Sequence, residues 1–148
     1  MRDNPGGLIT TAHGIGQYLI PKGQIVTVQT RKGRNSAYMS RGDHSLIPLV
    51  VLINGNSASA SEIIAGAVQD TKSGIIVGTK SYGKGTVQSV VQGLDEEGLK
   101  ITIARYHTPN DRVIDGIGII PDEIVEPSKA NPEEDVQLER AIEIVKTL

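Results

Sequence analysis

Residues 54–66 read NGNSASASEIIAG, and the predicted fold is built around this turn. The apolar run at 47–53 precedes the turn, and its length and its Val and Leu content predict a buried strand. Apolar residues then recur at helical spacing over 60–71, and a second apolar strand follows Gly74 at 75–77. Strand, helix and strand within about 30 residues are typical of a parallel crossover unit. The sequence therefore predicts an α/β fold.

The other elements are predicted from hydrophobic periodicity and turn signals. They are a helix over 8–20, strands over 24–30 and 37–40, a hairpin of strands 87–91 and 99–106 around a polar turn at 94–98, and a C-terminal helix. The C-terminal helix is predicted to start with Asn131 as its cap and Pro132 at its first position. With 148 residues the chain fits one domain, and its core must be aliphatic because it has four Tyr and no Phe or Trp.

The composition argues against several classes of function. The net charge of −2 comes from 15 basic and 17 acidic residues scattered along the chain, so no nucleic-acid partner is expected. Without cysteine there is no disulfide, thiolate metal site or cysteine nucleophile. His13, His44 and His107 are too dispersed to suggest a zinc cluster, and no cofactor is predicted. No apolar run reaches the length of about 20 residues that spans a bilayer.

Three serines, Ser57, Ser59 and Ser61, lie at the predicted strand-to-helix turn with only alanine between them. Backbone amides at such a helix start can approach a ligand closely and donate hydrogen bonds to it. Taken alone, each serine is better explained as a helix cap or a packing residue than as a nucleophile. Glu62, just inside the helix, is predicted to interact favourably with the helix N-terminus, and contact with a reactive site is the less favoured alternative.

A glycine-flanked lysine, Lys84, lies in the loop 79–86 after the next predicted strand. Because adjacent parallel strands end side by side, this loop should face the three serines. Ser-Lys dyads are a known variant of the serine triad, but lysine acts as a general base only where burial favours its neutral form. Packing of the loop against apolar strands is expected to supply that burial. The alternatives are a solvated lysine or an anion contact; the phosphate-loop spacing of glycines is absent, so nucleotide binding is not predicted.

Five motifs occur in a fixed order along the chain. They are RDNPGG at 2–7, SASASE at 57–62, GKGTVQ at 83–88, ARY at 104–106 with TP at 108–109, and GIGI at 116–119 with PD at 121–122. In these motifs the chain resembles the carboxyl-terminal processing peptidases, also called tail-specific proteases, of the Ser-Lys type. The matching motifs cover nearly the whole chain, so chance similarity is not a good explanation.

The resemblance implies a role for each matching residue. It implies Ser59 as the nucleophile, Lys84 as the general base, and Gln88 as the side chain that orients the lysine. The implied oxyanion donors are the backbone amides of Ala60 and of either Gly6 or Gly7. The implied activity is hydrolysis of peptide bonds in C-terminal regions of protein substrates, without a cofactor or a metal. The implied fold is a ClpP/crotonase-like core of repeated strand-strand-helix units with an added β-hairpin and a C-terminal helix.

The resemblance also bears on the extent of the chain. Family members carry a PDZ-type domain and the first strands and helix of the core before the position of Arg2, so residues 1–148 are expected to be part of a peptidase core. This leaves open whether the fragment is active alone, and it leaves a sheet edge that can pair with another copy in a homo-oligomer. Members usually work outside the cytoplasm, in the cell envelope, membrane-associated, or in the chloroplast lumen. The alternative is a non-catalytic or acyl-binding module on the same fold.

Overall fold

The computed structural model describes residues 1–33, 35–43, 47–92, 98–131 and 133–148. Within these residues the helices are α1 (Ile9–Leu19), α2 (Ala60–Thr71) and α3 (Val136–Val145). The strands are β1 (Gly23–Thr30), β2 (Asn35–Ser40), β3 (Val50–Ile53), β4 (Ile75–Gly78), β5 (Thr86–Gln92), β6 (Gly98–His107) and β7 (Glu123–Ile124). No helix in this part of the chain is long and apolar enough to cross a membrane.

Two sheets organise the strands. A four-stranded antiparallel sheet has the order β2-β1-β6-β5, and a three-stranded parallel sheet has the order β3-β4-β7. Ile53 at the end of β3 pairs with Gly78 at the end of β4, so the chain leaves both strands at the same edge. The parallel crossover predicted from the sequence is confirmed, and it brings the serine turn and the lysine loop to one place.

Aliphatic side chains fill the interior, as the composition predicts. The helix α2 packs between the two sheets and is buried along most of its length. The largest fully buried apolar side chains are Ile20, Ile25, Val26, Ile53, Ile63, Ile64, Val68, Ile76, Val77, Ile114 and Ile119. The buried part of α2 runs from Ser61 to Val68, so it begins directly after the serine turn.

Three predicted boundaries are wrong or fall outside the described residues. β3 starts at Val50 rather than near 47, where Pro48 has no N–H to donate to a ladder. The C-terminal helix starts at Val136 with Asp135 as its cap, whose carboxylate accepts from the amide of Leu138 at 3.0 Å. Asn131 instead accepts from the amide of Glu133 in a local turn. Pro132, His44 and the polar turn at 94–97 lie outside the described residues.

Candidate active site

Ser59 has an unusual backbone conformation at the start of α2. Its φ is 56° and its ψ is −115°, a positive φ that non-glycine residues seldom adopt. Such strain persists only where the surrounding structure enforces it, and it is typical of a nucleophile on a sharp strand-to-helix turn. Ser57 and Ser61 are buried, and their hydroxyls donate to the carbonyls of the N-terminal segment at 2.9 and 3.0 Å. Ser59 is the partly exposed serine of the three.

The N-terminal glycine turn packs directly against the serine turn. The carbonyl of Asn4 accepts hydrogen bonds from the amide of Ala58 and the hydroxyl of Ser61, each at 3.0 Å. Gly6 has a φ of 104°, and a Cβ placed there would lie 2.7 Å from the Ala58 carbonyl oxygen and 2.9 Å from the Ala60 nitrogen. Only glycine fits this close approach. The structure thus brings Gly6 together with Ser59 and Ala60, which are the residues that the resemblance implies for one site.

Two backbone amides beside Ser59 have no hydrogen-bond acceptor within the described residues. They are the amides of Ala60 and Gly7. The amide of Gly6, by contrast, donates to the side-chain oxygen of Asn4 at 2.9 Å. Of the two glycines that the sequence leaves open as oxyanion donors, Gly7 is therefore the one whose N–H remains available.

A bidentate ion pair anchors the glycine turn to the C-terminal helix. The guanidinium of Arg2 donates to both carboxylate oxygens of Asp135, at 2.7 and 2.6 Å, and to the side-chain oxygen of Gln137 at 3.0 Å. Asp3 adds contacts with Asn54 and Asn56 on the serine turn. No local pattern predicts the Arg2–Asp135 pair, because its partners lie at opposite ends of the chain.

Acid is expected to weaken this anchor. Hydrogen bonds from Arg2 lower the pKa of Asp135 from its usual 3.8 to about 2. A carboxylate with a lowered pKa stabilises the folded state above about pH 4, and this contribution is lost as the pH falls toward about 2. Asp135→Asn keeps an acceptor for the helix cap but removes the ion pair. We expect it to lower the urea midpoint near pH 6, and only slightly, because the pair is partly exposed. The difference from wild type should shrink steadily below about pH 4; a constant difference down to about pH 2 would contradict this account.

The lysine loop is held against the serine turn by its backbone. The amide of Tyr82 donates to the carbonyl of Ser57 at 3.0 Å, and Gly83 and Gly85 are buried. The side chain of Lys84 is nevertheless exposed, so the burial predicted for this lysine is wrong for the side chain. The reason is that the glycines on either side supply the buried backbone while the side chain between them points away from the core.

The residues of the predicted dyad have neighbouring backbones, but their side chains are not joined. Within the described residues, no hydrogen bond links the side chains of Ser59, Lys84 and Gln88, and Gln88 is exposed on β5. Their backbones are close, because the amides of Ser59 and Lys84 both donate to the same carboxylate oxygen of Glu62, each at 2.8 Å. The two nitrogens are thus no further apart than twice that distance. Catalytic hydrogen bonds are often long without substrate, so this geometry is compatible with a dyad.

Glu62 is the central connection between the two loops, and its side chain is fully buried. One carboxylate oxygen accepts from the amides of Ser59 and Lys84; the other accepts from the Ser81 hydroxyl at 2.5 Å and the Gly83 amide at 2.6 Å. The position of Glu62 in the sequence predicts a favourable helix-terminus charge, with contact to a reactive site as the less favoured alternative, and does not predict this connecting role. The spacing of Ser59 and Glu62 is that of a capping box, which predicts one of these bonds but not the contacts with the lysine loop.

We expect Glu62→Gln to lower the kcat of a reaction catalysed at this site by about 10- to 100-fold. The reason is that misplacing reacting groups by about 1 Å can lower the rate by up to about 10²-fold. A glutamine offers one acceptor oxygen where the carboxylate serves four donors, so two buried donors would lose their partner. The free energy of unfolding should also fall by about 2 to 6 kcal/mol, since each of the two unsatisfied buried donors costs about 1 to 3 kcal/mol. Glu139→Gln, at an exposed position of α3, is the control. Wild-type kcat and urea stability in Glu62→Gln would show that the carboxylate is dispensable.

Comparison with known proteins identifies the family. The sequence pattern described as Peptidase family S41 matches residues 1–125. The chain belongs to peptidase family S41. This S41 chain is 38% identical over 151 residues to a carboxyl-terminal-processing protease of Synechocystis sp., covering 98% of the chain and 35% of that protein. It is 40% identical over 129 residues to a chloroplastic C-terminal processing peptidase of Tetradesmus obliquus, covering 86% of the chain and 28% of the relative.

A solved structure shares the mixed α/β architecture of this S41 chain. The photosystem II D1 C-terminal processing protease superposes with a TM-score of 0.81 at 36% identity, covering 97% of the chain and 37% of that protein. The S41 chain thus spans about a third of the length of the proteins that it matches. The shared segment contains the serine turn, the lysine loop and the glycine turn.

Proposed function

We propose that the chain forms the reactive core of a serine-type endopeptidase that hydrolyses peptide bonds in C-terminal regions of proteins through a Ser59-Lys84 dyad. The observation that carries the proposal is the strained Ser59 turn, which contacts the glycine turn and shares the Glu62 carboxylate with the lysine loop. One nucleophile candidate, one base candidate and free amide donors therefore lie around a single point of the fold. Membership of peptidase family S41 supports the same conclusion.

In the proposed reaction, the neutral amine of Lys84 takes the hydroxyl proton of Ser59 as the oxygen attacks the peptide carbonyl. The amides of Ala60 and Gly7 stabilise the oxyanion that forms on the carbonyl oxygen. The C–N bond then breaks, Lys84 returns the proton to the leaving amine, and Ser59 keeps the acyl group. Water, activated in turn by the lysine, releases the acyl group. Gln88, four residues after Lys84, would orient the amine.

A small pocket beside the glycine turn suits the side chain on the acyl side of the cleaved bond. Its volume is about 80 Å³. Among its lining residues are Leu8 and Ile15 from the region of α1 and Ala60 and Ile64 from α2, and none of the lining residues carries an ionisable side chain. Such a pocket favours a small apolar residue over a charged one, because a buried charge would be left unpaired.

The wider assignment follows from the family. We propose protein or peptide C-terminal tails as substrates, because the matched relatives are named as C-terminal processing enzymes. We propose that the protein works outside the cytoplasm, as the family resemblance implies; one matched relative is named as chloroplastic. We further propose a fold related to the ClpP and crotonase group, extended by the β5-β6 hairpin and α3. Among the described strands, an outer sheet edge is available for pairing with another copy in a homo-oligomer.

The function is tested with the chain and with a chimera in which it replaces the matching segment of the Synechocystis relative. Peptides with a free C-terminus are incubated with each protein, and the products are identified by mass spectrometry. We expect cleavage that Ser59→Ala abolishes and that Ser36→Ala, at an exposed position of β2, leaves intact. Equal cleavage by Ser59→Ala would contradict the proposal. Folded proteins that cleave no peptide in either form would favour a non-catalytic module.

A further inference from the structure

The strand β5 is an outer strand of the antiparallel sheet, and it begins two residues after Lys84. Within the described part of the chain, β6 is the strand that pairs with it, from Thr86–Arg105 to Gln92–Gly98. Its sequence, TVQSVVQ, contains neither charged residues nor proline, two of the features with which proteins block a sheet edge, and its register with β6 shifts at a bulge between Val87 and Gln88. The backbone at Thr86, before this bulge, is the part of the edge that can act as a template for another strand.

The backbone of Thr86 points toward this open edge. The amide of Tyr106 in β6 donates to the carbonyl of Gly85 at 2.8 Å, so that carbonyl is directed at β6. In a trans peptide the C=O and the following N–H point in opposite directions, and the described residues contain no cis peptide bond. The N–H of Thr86 therefore points away from β6. In an antiparallel strand the N–H and C=O of one residue point to the same side, so the C=O of Thr86 also points away from β6.

The open edge starts close to the proposed reaction centre. The amide of Lys84 shares a Glu62 oxygen with the amide of Ser59, and extended chain advances about 3.3 Å per residue, so Thr86 lies within about 7 Å of Lys84 along the strand. The other edge of the same sheet, β2, is three strand spacings or about 14 Å away. Among the two edges, β5 is the one that leads into the site.

We propose that the β5 edge binds the polypeptide substrate as an added strand, with the N–H and C=O of Thr86 bonded to the substrate backbone next to the cleaved bond. The inference rests on the proposed function and names its mode of substrate recognition. Backbone pairing supplies affinity independently of sequence. The enzyme would thus take extended, unfolded segments of varied sequence, and a strand lying on this edge would cover the exposed side chain of Lys84.

The test measures binding of a fluorescent peptide with a free C-terminus to Ser59→Ala, which keeps the peptide intact. Thr86→Pro added to Ser59→Ala removes the outward N–H, whereas Thr86→Val keeps it and changes only the side chain. We expect the Kd of the proline variant to be at least about tenfold higher than that of the valine variant. Circular dichroism confirms folding of both.

A second measurement uses the wild-type backbone, so it does not depend on the proline variant. Peptides N-methylated at successive positions are titrated against Ser59→Ala. Weakened binding at every second position supports the added strand, because alternate amides face the partner. Equal Kd values for the proline and valine variants, a methylation profile without alternation, or no binding would overturn the inference. Cleavage by wild type that Ser59→Ala abolishes would still uphold the proposed function in those cases.

Discussion

Replacing Lys84 by alanine is expected to lower kcat by about 10²- to 10⁴-fold, the usual contribution of a positioned general base. The physical reason is that the Ser59 hydroxyl then loses the group that accepts its proton during attack. Substrate binding through the pocket and the strand edge should persist, so KM should change little. The measurement is steady-state peptide cleavage by the chimera described above, with wild type measured in parallel.

Two further lysine variants separate a base from a simple positive charge. Lys84→Arg keeps the charge but cannot deprotonate, so it should be as inactive as Lys84→Ala. Lys80→Ala, at an exposed position of the same loop, should leave kcat unchanged. Activity retained in Lys84→Arg would mean that the residue acts as a fixed cation, and the dyad would have to be abandoned.

Gly7→Pro is expected to lower kcat by about 10²- to 10³-fold, corresponding to about 2.7 to 4 kcal/mol of transition-state stabilisation. Proline removes the N–H of Gly7, which has no acceptor within the described residues. In the proposed reaction this N–H stabilises the oxyanion. The neighbouring Gly6 amide cannot replace it, because it already donates to Asn4.

Gly7→Ala is the matched control for the proline variant. A Cβ at this position has no heavy atom within 4 Å, so alanine keeps the amide without a clash. We expect its kcat to stay within a few-fold of wild type, and thermal melting of both variants shows whether each is folded. Equal kcat values in the alanine and proline variants would remove Gly7 from the oxyanion site and return Gly6 to consideration.

Local patterns predict the three helices, six of the seven described strands and the shared edge of the serine turn and the lysine loop, but not the short strand β7 or the strand orders of the two sheets. Two apolar runs, with a segment of helical periodicity between them, predict the β3-α2-β4 crossover. This crossover alone brings the serine turn and the lysine loop to one edge of the sheet. Resemblance narrowed three serines to Ser59, and the strained φ of that residue is an independent structural reason to single it out. These features depend on residues close together in sequence.

The remaining features depend on contacts between distant segments, which periodicity does not encode. Glu62 meets the lysine loop through the Ser81 hydroxyl and the amides of Gly83 and Lys84, which are about 20 residues away in the chain. The start of α3 was misplaced because Asp135 is fixed both as a cap and by Arg2, from the other end of the chain. The exposure of Lys84 agrees with the solvated-lysine alternative, and which alternative holds depends on how the whole loop packs.

The most direct test of the central claim is the site of acylation. A chromogenic ester is mixed with the protein, the reaction is quenched in acid within its first turnover, and the adduct is located by intact mass and peptide mapping. The account predicts one acyl group on Ser59, formed far more slowly in Lys84→Ala. Turnover of the ester with the acyl group on another residue, or with none on Ser59, would contradict it.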